Sequence, residues 1–189
     1  MQASESVLGQ GGPHVSSIEE ITGELRTLGT GVERAQSLTA GADHQAQEIA
    51  ARAAGTGFTA VAAGMARVRA AIATIHSGLG GLAGAVGEAT TATANVPREA
   101  TPQESIAALA PVGQGIASAR EAATATIAHV DQARQLVGAV LQGGQPGPLL
   151  QALDSVKQVL VLLIQRGTAA QQAVEAAISQ ARQLGSAGN

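Results

Sequence analysis

Apolar residues recur at alternating steps of three and four through four long stretches of this chain. The first seam runs from Ile18 through Leu25, Leu28 and Val32 to Ala53. The second is Phe58, Val61, Met65, Val68, Ile72, Ile75, Leu79, Leu82, Val86 and Ala89. The third is Ile106, Leu109, Gly113, Ile116, Arg120, Ala123, Ile127, Val130, Arg134, Val137 and Leu141, and the fourth runs from Leu149 through Leu153, Val156 and Leu160 to Leu184. A seam of this spacing held over several heptads belongs to long helices packed at small crossing angles. No stretch keeps the period of two that a strand requires. The expected fold is therefore all-α: four long helices, forming two tandem αα-hairpins packed as one antiparallel four-helix bundle.

Composition narrows what such a bundle can be. Forty-one of the 189 residues are Ala and only Phe58 is aromatic, so the core must be built from small aliphatic side chains. Each alanine contributes little area at roughly 25 cal/mol per Å², so the helices must run long and approach closely. The single aromatic removes the stacking platform that single-stranded nucleic acid uses. Ten of the eleven basic residues are Arg, none forms a tract, and net charge is −3, so no nucleic-acid footprint is expected. The absence of Cys excludes disulfides and thiol chemistry. The N-terminal residues lack a basic region followed by an apolar run, which points to a cytoplasmic protein.

Turn signals divide the chain. Residues 1–15 are expected to form a flexible arm, 16–94 the first hairpin, 95–102 a linker, 103–184 the second hairpin and 185–189 a flexible tail. Ser16 with Glu19, and Thr101 with Glu104, have capping-box spacing, and Pro102 suits a first helical position. Gly143 to Gly147 reads as a turn before Pro148. The halves also match under a shift of 88 residues: Ile18 meets Ile106, Asp43 meets Asp131, Gly55 meets Gly143, Val68 meets Val156 and Val86 meets Val174. That repeat supports tandem hairpins.

Five features are candidates for chemistry or contact. Gly55-Thr56-Gly57-Phe58 resembles a phosphate loop, but no strand precedes it and no Lys follows. It reads better as the first hairpin tip: Gly55 ends one helix, Thr56 caps the next, and Phe58 closes the core, where its loss to Ala would cost about 3–5 kcal/mol. The other reading is a contact site exposed at the tip. His44, Glu48, His129 and Asp131 occupy near-equivalent places and could form a metal site, but the heptads put both histidines outside, so no metal is expected. Arg120 and Arg134 fall on the third seam, either as a polar grip or because the true seam shifts to Ala119, Ala123, Val130, Ala133, Val137 and Val140. Pro111 is expected to kink that helix locally. Gly80, Gly84 and Gly87 share one helical face, suited to close approach of another helix or to a weak helix end. Val159 to Ile164 is apolar all round, which implies burial, with Val159, Val161, Leu162 and Ile164 as a candidate interface. It is too short to span a membrane.

At GTGFTAVAAGMARVRAAI (55–72) and VLQGGQPGPLL (140–150) the chain resembles an uncharacterised family of alanine-rich helical proteins in actinobacteria, a domain of unknown function. The hairpin size is also similar to the small helical substrates of type VII secretion, though Trp and Tyr are absent here. No catalytic or cofactor site is expected. The functional expectation is a non-enzymatic helical scaffold that self-associates or binds another helical protein; the alternative is an export-related helical protein of the type VII class.

Overall fold

A computed structural model of the chain describes residues 13–97, 100–142 and 147–187. It holds four helices, α1 (Pro13–Gly55), α2 (Thr59–Ala94), α3 (Pro102–Val140) and α4 (Gly147–Ala187). Each helix packs on its two neighbours in the ring α1–α2–α3–α4, and helices diagonal across the bundle do not pack on each other. The two tandem hairpins thus share one core, as the four seams require.

The helix ends differ from expectation in three places. α1 already includes Pro13, so Ser16 and Glu19 lie inside the helix and form no start; the expected arm is shortened, and residues 1–12 lie outside the described residues. α4 continues to Ala187, beyond the expected limit of 184, and residues 188–189 lie outside the described residues. Gly55 stays in α1, and the chain reverses instead at Gly57, with φ +83°. There the Phe58 N–H donates to the Ala53 carbonyl at 2.8 Å and the Gly57 N–H to that of Ala54 at 3.2 Å, the paired closure of a Schellman motif. The Thr56 hydroxyl donates back to the Arg52 carbonyl, so it finishes α1 and does not cap α2. The capping box at α3 forms as expected: Thr101 Oγ1 accepts from the Glu104 N–H, whose carboxylate accepts from the Thr101 N–H at 2.8 Å. Of the second turn, Gly143 to Pro146 lie outside the described residues.

The internal repeat is visible in the core. Met65, Val68, Ile72, Ile75, Leu79, Leu82, Val86, Ala89 and Thr93 are buried on α2. Eighty-eight positions on, Leu153, Val156, Leu160, Leu163, Gly167, Ala170, Val174, Ala177 and Ala181 are all buried on α4. α1 and α3 agree less well. Leu25, Val32, Thr39 and Ala46 are buried on α1, but α3 buries Val112, Ala119, Thr126 and Ala133, one position earlier than the shift predicts. The residues displaced outward are Gly113, Arg120, Ile127 and Arg134, two of which would carry an uncompensated charge into the core. The buried threonines satisfy their own hydroxyls, Thr39 donating to the Ala35 carbonyl and Thr126 to that of Ala122. Pro111 does not break α3: it and Ala107, whose carbonyl loses a partner, both face solvent, where water can replace the bond.

The two sides of the bundle are packed differently. Between α2 and α3 the helices nearly touch. A methyl added at Gly115 would lie 2.9 Å from Ala89 Cβ and 3.2 Å from its backbone, and one at Gly78 would lie 2.5 Å from Thr126 Oγ1. Between α4 and α1 the spacing is set by larger side chains, with Leu163 seated over Gly31.

Candidate functional site

Phe58 is not the core plug that its seam position suggested. It is 65% exposed, because the Schellman turn places it at the cap of α2, beyond the last layer of the core. The tip is therefore an exposed aromatic beside Gly55 and Gly57.

The candidate metal residues are kept apart. His44 and Glu48 pair at 3.3 Å on exposed α1, while His129 and Asp131 lie on α3, the helix diagonal to it. Among the described residues, no three His, Asp or Glu gather as a metal site would need. Asp131 instead accepts two bonds from Lys157 Nζ on α4, each 2.8 Å, and one from Arg134. The Lys157 hydrogen bonds hold its carboxyl below the ordinary carboxylate range; burial opposes them, and Arg134 adds to the lowering. Arg134 also lies 2.7 Å from Asp154, so it ties α3 to α4 from the rim of the seam. Arg120 lays its stem across Gly167, where a methyl would meet its Cγ at 2.7 Å, a snorkelling position at the edge of the core.

Gly80, Gly84 and Gly87 lie on the exposed face of α2, with open space where their Cβ atoms would be. Of the candidate interface on α4, Val159 is 8% exposed and Ile164 packs partly against the core, so neither stands out from the helix surface. Val161 and Leu162 do face outward, 39% and 58% exposed. Leu162 sits on a second heptad line along α4: Gln151, Gln158, Gln165 and Gln172 recur every seven residues, interleaved with Leu162, Ala169 and Ala176, all exposed. By length and composition α2 and α4 are apolar enough to cross a membrane, a property shared with core helices, and both bury a full seam inside the bundle.

One site escaped the sequence. Between α1 and α4 runs a groove of about 460 Å³, floored by Val159, Leu162 and Leu163 and rimmed by Arg26, Arg34 and Arg166. Arg166 reaches Glu24 at 3.3 Å. The heptads identify inward positions but not which helices become neighbours, so residues as far apart as Glu24 and Arg166, 142 positions, gave no joint signal.

Residues 100–186 match the model of a family of unknown function, DUF6244. The resemblance to an uncharacterised family read from the sequence thus holds for this segment. No curated protein matches the chain. The DUF6244 segment opens one residue before the Thr101 cap and closes one residue before the end of α4, so it coincides with the second helical hairpin.

Proposed function

We propose that this protein is a non-enzymatic helical scaffold that self-associates through the outward face of α4. The observation that carries the reading is Leu162, 58% exposed at the middle of an uncharged heptad line. The inward seam of α4 is already used within the bundle, so a second heptad line facing water has the pattern of a helix that packs on two sides. Exposed Val161 beside it enlarges the apolar centre. The glutamines on either side can hydrogen-bond across an interface without the desolvation cost of charge.

Sedimentation equilibrium tests this. The wild-type chain should associate reversibly, and Leu162→Glu should weaken association by about 30-fold, as for a central contact residue. A wild-type chain that stays monomeric at all concentrations reached would remove the proposal.

A further inference from the structure

The residues that line the groove between α1 and α4 are not repeated on the opposite side of the bundle. The 88-residue shift maps it onto α3 and α2. There Arg26 and Arg34 become Gln114 and Ala122, or Gly113 and Glu121 one position earlier, while Arg166, Val159 and Leu162 become Gly78, Ala71 and Thr74. The same shift keeps the α2 and α4 seams buried throughout. The bundle therefore closes without these side chains, and on the α2–α3 side it closes more tightly, with Gly78 against Thr126. The three arginines and the open apolar floor are features of one side alone.

Their arrangement describes what would fit. Arg26 and Arg34 stand on one wall, eight residues apart and so about 12 Å along α1. Arg166 stands on the other wall, on α4. Among the described residues, neither Arg26 nor Arg34 has an ion pair, and Arg166 has only Glu24, with its side chain 57% exposed. This local positive charge runs against a net charge of −3 for the whole chain. Leu162 leaves the floor apolar and accessible.

From this we infer that the groove docks an amphipathic helix of a partner protein, with apolar residues on its inward face and carboxylates along both flanks. Two cations on one wall two helical turns apart, and a third opposite, match carboxylates spaced along a helix better than a single anionic headgroup. The groove lies open along its length, so an acyl chain would stay largely wet, whereas a helix brings its own outer face to solvent. The inference rests on reading the chain as a protein that binds helices, and it shares Leu162 with the proposed self-association; an acidic helix and a second copy would compete for it.

The test is fluorescence anisotropy on the full chain with a short capped helical peptide carrying leucines on one face and glutamates on both flanks. It should bind, with affinity falling as salt rises. The double variant Arg26→Glu with Arg34→Glu should bind at least about tenfold more weakly. Both positions are exposed, so unchanged helical circular dichroism is expected and checks the fold. The same peptide with lysines replacing the glutamates should not bind, and dodecanoate should not displace the acidic peptide. No binding, equal binding of both peptides, an unaffected double variant, or displacement by dodecanoate would each overturn the inference. Sedimentation separates the two readings: a monomeric chain that binds the acidic peptide refutes self-association alone, and an associating chain that still ignores the peptide when diluted until it is monomeric refutes the groove alone.

Discussion

Arg69 on α2 donates to Asp43 on α1 at 3.0 Å, and 88 residues further along Lys157 on α4 donates to Asp131 on α3 at 2.8 Å. The same acid–base pair, 26 positions apart in each case, thus stands at the same place in both hairpins. With the α2 and α4 seams in phase, it marks the two halves as one structural plan used twice. The second half has added to it: Arg134 and Asp154 extend the pair into a four-residue cluster, whereas the first half has Ala46 and Ala66 at those positions.

The cluster should appear in the acid limb of stability. Lys157, and after it Arg134, hold the Asp131 carboxyl below its ordinary value of 3.8. A lowered folded-state value means that the contribution is complete above the unfolded value and is lost as pH falls through the folded one. The groups are more than a third exposed, so solvent screening limits the effect to about 1 kcal/mol. Urea unfolding of Asp131→Asn at pH 7 should show a loss of that order, and the two proteins should converge as pH falls through the lowered folded-state value of Asp131.

Glycine substitutions should divide by location. At Gly115 an added methyl meets Ala89 Cβ at 2.9 Å and its backbone at 3.2 Å, so α2 and α3 must separate. Gly115→Ala should cost about 1–3 kcal/mol. At Gly84 the same methyl meets nothing. Gly84→Ala should raise stability by about 0.5–1 kcal/mol through helix propensity alone. Thermal unfolding of the two variants beside wild type gives both signs directly, provided it is done at one protein concentration.

Phe58→Ala should leave thermal stability within about 0.5 kcal/mol of wild type, as for other exposed sites. The seam reading, which placed Phe58 in the core, required a loss several times larger. A fall in melting temperature of more than a few degrees would mean that the ring packs on the bundle end after all.

The difference at Phe58 shows where heptad reading stops. The seams of α2 and α4 were legible because Val, Ile, Leu and Met leave one choice of inward face. α3 was less so: Ala123, Val130 and Val137 serve either of two adjacent seams, and only the exclusion of Arg120 and Arg134 from the core decides between them. Turns are decided by backbone geometry, and Gly55 and Gly57 are equivalent candidates until the hydrogen bonds from Gly57 and Phe58 are seen. The arginine groove depends on which helices become neighbours. That follows from how the hairpins close on each other, which periodicity within a single helix does not encode.

The DUF6244 match covers one hairpin, yet that hairpin buries its seam on two sides: α3 packs on α2, and α4 packs on α1. Alone, residues 100–187 would expose Ile116, Val130, Leu153 and Leu160, all fully buried in the whole chain. Hydrophobic surface of this extent is not tolerated by a monomeric hairpin in water. The two halves share one plan, so a second copy of α3–α4 can take the place of α1–α2. The isolated hairpin should therefore be helical only where it dimerises, and its circular dichroism should fall on dilution while that of the whole chain does not. A hairpin fragment that stays fully helical as a monomer would show that the shared core is not what holds the second half together.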